Sequence, residues 1–173
     1  MEAASRIKEY FFYRKVHRLP GHTTARQLNF PLKNAVFLIS DPSSNIVNAI
    51  INWAAQYQLS SDNIIFITPK KPEEAELKNL IDIPSKAKTW FQTIKEPWFG
   101  QLPADHYDLL VNLDAGFDRS LLYGAIRISA GFKVGFLANN AKVYDLLIEG
   151  TEGDTPKSLE QISTLFNTIT TTS

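Results

Sequence analysis

Asp41 and Asp114 each follow an apolar run, Ala35–Ser40 and Leu109–Leu113. In open α/β sheets that is where ligands gather, outside the carboxyl ends of strands near the point at which strand order reverses. In a 3-2-1-4-5 order the two runs are neighbouring strands, and the two carboxylates share a crevice. Asp118, Arg119 and Ser120 open a helix beside them. The first N–H groups of such a helix can hold an anion, and an arginine there can pair with phosphate or carboxylate. Ser43 adds a hydroxyl after the first run. The competing reading is structural and is the favoured one: Asp and Ser are the common cap and turn residues, and all these positions lie at strand-to-helix turns.

Several chemistries are missing from the loops. The segment after the first run, Asp41–Asn45, holds no glycine, so neither a dinucleotide fingerprint nor a P-loop stands where it would belong. There is no G-x-S-x-G elbow, so Ser40 and Ser120 are not credible hydrolase nucleophiles. His17, His22 and His106 lack metal-ligand spacing, and structural or surface roles suit them better. The chain has no cysteine, which removes disulfides, thiolate metal sites and a cysteine nucleophile together. No cofactor and no metal are expected.

The elements that would position these residues are read from the 173-residue pattern. Tyr107 to Phe136 reads strand, helix, strand, with the spacing of a right-handed parallel crossover. Ala35–Ser40 and Ile64–Thr68 are buried strands, and the helix between them turns Ile46, Ile50, Trp53, Ala54 and Tyr57 inward. Lys70–Asp82 suits a short exposed helix with acids in its first turn. AKTWFQTI, within Lys86–Pro103, reads as a third strand. Asp118–Ser129 is a helix with Gly131 placed as its C-cap. Phe132–Leu137 and Tyr144–Ile148 are further strands, the latter the best candidate for antiparallel because its connection is short. Lys157–Ile169 closes the chain as a helix. The expected fold is one Rossmann-like three-layer α/β domain over residues 34–173, with a mostly parallel sheet of five or six strands. Residues 1–33 form a basic helical arm and linker.

Formal charge is zero, with 18 basic and 18 acidic residues. The distribution is uneven: Arg6, Lys8, Arg14, Lys15, Arg18, Arg26 and Lys33 precede the first strand against Glu2 and Glu9. The arm admits three readings. Its apolar stripe can pack on the domain with its charges in water. Arg14, Lys15 and Arg18 can meet an anionic partner such as RNA, the ribosome or another protein. Phe11, Phe12 and Tyr13 can adsorb to a membrane surface, which is the less favoured of the two partner readings. Trp98 and Phe99, in the loop with Phe91, Pro97 and Leu102, offer either a partner surface or a cover for the sheet, with the cover preferred. No run of about 20 apolar residues is present to span a bilayer. Nor is there a secretory h-region, so a cytoplasmic location is expected.

FPLKNAVFLI, EPWFGQLP, YDLLVNLD, the helix ending at Ser129, FKVGF and VYDLLIEG together resemble an uncharacterised family of small Bacteroidota proteins, domain of unknown function 6913. The resemblance implies a basic helical arm before the domain and carries no assigned activity. Tyr107–Phe136 is also similar to the amino-terminal half of heptosyltransferase-like glycosyltransferases, in its Y-D-L strand, R-S helix start and K-V-G-F strand. Those enzymes hold the nucleotide-sugar donor mainly through a second Rossmann-like domain, for which this length leaves no room, so the similarity implies fold alone. The expected role is a cytoplasmic binding or interaction module for an anionic partner. A small-molecule or nucleotide-binding enzyme and a peripheral membrane adaptor remain as alternatives.

Overall fold

The computed structural model describes residues 12, 28, 30–71, 79–115, 118–136, 143–149 and 154–171. Strands β1 (Ala35–Leu38), β2 (Ile64–Thr68), β3 (Leu80–Asp82), β4 (Tyr107–Asn112), β5 (Ala130–Phe136) and β6 (Leu146–Ile148) form one sheet in the order β3-β2-β1-β4-β5-β6. Every pairing is parallel. Helices α1 (Ser44–Ala55), α2 (Glu96–Phe99), α3 (Arg119–Arg127) and α4 (Thr155–Thr171) cover it. This is a single α/β domain of Rossmann-like order. The reversal point lies between β1 and β4, whose registers match Leu38 to Asn112.

The strands are apolar on both faces because helices lie on both sides. Ala35, Phe37, Ile64, Phe66, Leu109, Val111, Phe132 and Val134 face α1 and α4 in one core. Val36, Leu38, Ile65, Ile67 and Leu110 face α2 and α3 in the other. In the first core Trp53 of α1 donates its indole N–H to Ser163 of α4 at 2.8 Å. Phe30, before β1, stacks on Tyr57 at 5.6 Å and meets Phe166 at 6.0 Å, and Leu32 is buried. The segment leading into β1 is thus held by its apolar side chains, as its sequence suggests.

Five sequence expectations change. The stretch carrying Trp98 and Phe99, read as a loop, contains the one-turn helix α2 with Pro97 in its first turn. Leu80–Asp82, read as the end of a helix, is strand β3, paired with Phe66–Thr68. AKTWFQTI, read as a strand, is a hairpin outside the sheet: Ser85–Ala87 form a 3-10 turn, Lys88 and Ile94 make an antiparallel bridge, and Gln92 at φ 65° closes the turn. Strand propensity reports a fit to a pleated, half-buried surface, and a tight hairpin supplies one as well as a sheet does. β6 is parallel, although its connection is short. It pairs only with Val134, Gly135 and Phe136 at the end of β5, so the chain has little distance to travel back. Gly131 lies inside β5, and the residue closing α3 is Ile128. A Cβ on Gly131 would come within 3.1 Å of the Asp108 carbonyl oxygen, so close approach of β4 explains the glycine.

Of the arm, Phe12 lies among the described residues. It is helical, fully buried, and part of the core shared with α2 and α3.

Candidate functional site

The carboxyl ends of β1 and β4 carry Asp41 and Asp114, as expected from adjacent parallel strands. Their surroundings differ. Asp41 is exposed and its Oδ1 accepts the Ser43 N–H at 3.2 Å, a local turn that sets the entry to α1. Ser43 is the N-cap residue of α1, and its carbonyl accepts the Val47 N–H at 3.1 Å while its hydroxyl makes no capping bond.

Asp114 is 2 % exposed and belongs to a chain of bonds across the β4–α3 turn. Its N–H donates to Asn112 Oδ1 at 3.0 Å, and its Oδ2 accepts the Asp118 N–H at 2.6 Å. Asp118 in turn caps α3, with Oδ1 accepting the N–H groups of Ser120 at 2.8 Å and Leu121 at 3.2 Å, and also the Ser120 hydroxyl. Two carboxylates therefore stand at the positive end of the α3 dipole and take up its first donors. The anion expected beside Ser120 would have to displace Asp118 from those N–H groups. The Arg119 guanidinium carbon lies 6.0 Å from the centre of the Phe12 ring, a cation–π contact between Phe12 and the start of α3.

Asn112 and Tyr144 complete the network and were not singled out by the sequence. The Asn112 amide donates to the Tyr144 hydroxyl at 2.7 Å. Burial pushes the Tyr144 phenol well above its ordinary range, the Asn112 bond pulls it down, and the Asp114 charge adds to the rise. The phenol is neutral at any physiological pH. An asparagine ending an apolar strand directly before L-D, and a tyrosine opening the second Y-D-L-L, were the available signals.

Trp98 of α2 is buried, and its indole N–H donates to the Asp82 carbonyl at 3.1 Å. Phe99 is half-buried, 5.3 Å from the Trp98 ring and 5.9 Å from the Arg127 guanidinium. These two rings form a cover over the second core. Among the described residues the exposed large apolar side chain is Trp90, in the hairpin read as a strand. Arg14, Lys15 and Arg18 lie outside the described residues. His106 contacts the Ser129 hydroxyl through Nδ1 at 2.8 Å at the opposite end of the strands.

A cavity of ≈ 370 Å³ lies elsewhere, between β6 and α4, lined by Leu147, Ile148, Glu149, Gln161, Thr164 and Leu165. Among the described residues no cluster of three or more histidine and carboxylate side chains could hold a metal ion.

No curated protein and no solved structure matches this chain. Its sequence does match the family of unknown function DUF6913 over residues 8–169, a span that takes in most of the arm and all six strands. The chain belongs to that family, DUF6913.

Proposed function

We propose that this protein is a binding or interaction module for an anionic macromolecule, met through the basic segment before β1, in the cytoplasm of a Bacteroidota cell. RNA or the ribosome fits that description. The observation that carries the reading is the use of the strand-end polar groups. Asp118 takes up the first N–H groups of α3, Asp114 takes up the N–H of Asp118, and Arg119 lies against Phe12. The groups that would bind a small anion are committed to the fold, whereas the arginines and lysines of the arm are in excess over acids. Burial of Phe12 supports an arm anchored to the domain at that residue. It also withdraws one of the three aromatic residues a membrane-adsorbing arm would use. No helix among the described residues is long and apolar enough to cross a membrane.

The test keeps the arm and changes its charge, since deleting residues 1–33 would also remove Phe12, Phe30 and Leu32 from the cores. Full-length protein and an Arg14→Gln/Lys15→Gln/Arg18→Gln variant are used for capture from native lysate with and without ribonuclease. Loss of captured RNA or protein in the variant supports the reading. Identical capture by both would refute it.

A small-molecule reading is favoured by one observation, the buried Asp114–Asn112–Tyr144 network beside the reversal point. A metabolite that raises Tm for the wild type and not for Asp114→Asn would establish it.

A further inference from the structure

The segment Pro84–Lys95 contains Lys86, Lys88 and Lys95 and no acidic residue. It folds as a hairpin that is closed by its own hydrogen bonds. Thr89 N–H donates to the Thr93 carbonyl at 2.8 Å, Gln92 N–H to the Thr89 carbonyl at 3.0 Å, and Lys95 N–H to the Ala87 carbonyl at 2.9 Å. The Thr89 and Thr93 hydroxyls are 2.8 Å apart and bonded to each other. Thr93 and Ile94 are buried beneath and fix the hairpin to the domain. At its tip Trp90 is 55 % exposed, with Phe91 edge-on at 5.1 Å. The Lys95 ammonium donates to the Lys86 backbone carbonyl at 2.8 Å, which holds the Lys95 cation at the base of the hairpin. Glu96, the next acid along, is engaged with Arg127 at 2.8 Å.

We propose that this hairpin is a contact site for single-stranded nucleic acid, with a base stacked on Trp90 and flanking phosphates met by Lys86, Lys88 and Lys95. The inference deepens the anionic-partner reading and rests on it. An indole on a hydrogen-bonded turn is a stacking platform, since it is already ordered and one ring face suffices for a base. Lysines around it match a phosphate backbone and are depleted at the centres of protein–protein interfaces. A membrane surface suits the hairpin less well. Phe91 is half-buried, which leaves one exposed ring in the hairpin, whereas adsorption to a membrane scales with the apolar area that can be buried in it.

The experiment measures binding of full-length protein to fluorescein-labelled 12-nucleotide single-stranded RNA by anisotropy across a salt series. Heparin is the polyanion without bases, and phosphatidylserine vesicles are the membrane arm. The expected result is that Trp90→Ala weakens RNA binding about 5- to 150-fold and leaves heparin binding unchanged, with Trp90→Phe in between. A Lys86→Gln/Lys88→Gln/Lys95→Gln variant should flatten the logarithmic salt slope by about two, at roughly 0.7 per phosphate contact. Trp90 quenching on RNA addition should be visible against Trp53 and Trp98, which are both buried. If wild type and Trp90→Ala bind RNA equally while the Arg14→Gln/Lys15→Gln/Arg18→Gln variant does not, the hairpin inference is overturned and the arm reading stands. If vesicles and not RNA quench Trp90, the partner is a membrane and the inference fails. If wild type binds neither RNA nor heparin, both readings fall.

Discussion

Tyr144 and Gly135 are fitted to one another. A Cβ added to Gly135 would stand 2.5 Å from the Tyr144 ring, closer than any real contact, and both residues are buried where the phenol meets Asn112. Gly135→Ala must therefore push the ring off its hydrogen bond. We expect a loss of about 1–3 kcal/mol, the usual range for overpacking. Urea unfolding of Gly135→Ala, Tyr144→Ala and the double variant checks this. The penalty of the alanine should shrink when the ring is absent, and an additive cycle would show that the two positions do not compete for the same space. The same packing sets the tyrosine that opens the second Y-D-L-L against the glycine of K-V-G in β5. Phe132, Val134 and Phe136 fill the core beneath α1 and α4, while Lys133 and Gly135 point to the other face and leave room for tyrosine.

Elements are joined by polar groups as well as by their apolar faces. Lys133 of β5 is fully buried, and its ammonium donates to the Ala125 carbonyl at 2.6 Å in the last turn of α3. That places a cation at the negative end of the helix and satisfies a carbonyl left without an intrahelical donor. Lys133→Met keeps the volume and leaves that carbonyl without its donor. It should cost about 1–3 kcal/mol by urea unfolding, and a neutral result would mean that the ammonium's desolvation offsets its bond. The two Y-D-L-L boxes work alike at ladder starts. Asp108 accepts the Lys33 N–H at 2.6 Å beside β1, and Asp145 accepts the Lys133 N–H at 2.8 Å beside β6. Each carboxylate thus serves a backbone donor where its ladder begins, which reads the repeated motif as a register device. The arm belongs to this scale too. Phe12→Ala should destabilise the domain by about 3–5 kcal/mol, as for other large core truncations, and a Tm unchanged by the substitution would detach the arm from the fold.

For the whole molecule, two buried tyrosines set the alkaline limit. Burial raises the Tyr144 phenol strongly and also raises Tyr107, whose hydroxyl lies toward the Ala104 backbone without a hydrogen bond of good geometry. In the unfolded chain both ionise near the ordinary value of 10.0, while in the fold they keep their protons. The unfolded state then holds fewer protons, so stability is fully present below about pH 10 and falls as pH rises beyond it. The expected slope from Tyr144 alone approaches 1.4 kcal/mol per pH unit. Chemical unfolding between pH 8 and 11.5 should show that decline, and Tyr144→Phe should flatten it. A wild-type profile flat to pH 11.5 would contradict the burial argument. Arm neutralisation through Arg14, Lys15 and Arg18 should leave this profile unchanged, since it addresses binding and not the core.

The sequence by itself determined the strands β1, β2, β4 and β5 and the helices α1, α3 and α4. Long apolar runs bounded by Asp, Ser and Pro leave few alternatives once both faces of a strand must be covered. It also determined that β1 and β4 end in aspartates on the same side, because parallel order follows from the crossovers. Tertiary structure decided the short pieces. Leu80–Asp82 became a strand because β2 offered an open edge, and the residues around Trp90 became a hairpin although their composition is that of a strand. Tertiary structure likewise decided what the polar residues do. Whether Asp114 binds a ligand or holds a turn depends on the N–H of Asp118 and on the Asn112–Tyr144 pair beside it, and Tyr144 arrives from the segment before β6, far along the chain. Periodicity encodes which side of an element is buried. The partner a buried carboxylate meets is set by contacts between distant segments, which no local pattern records.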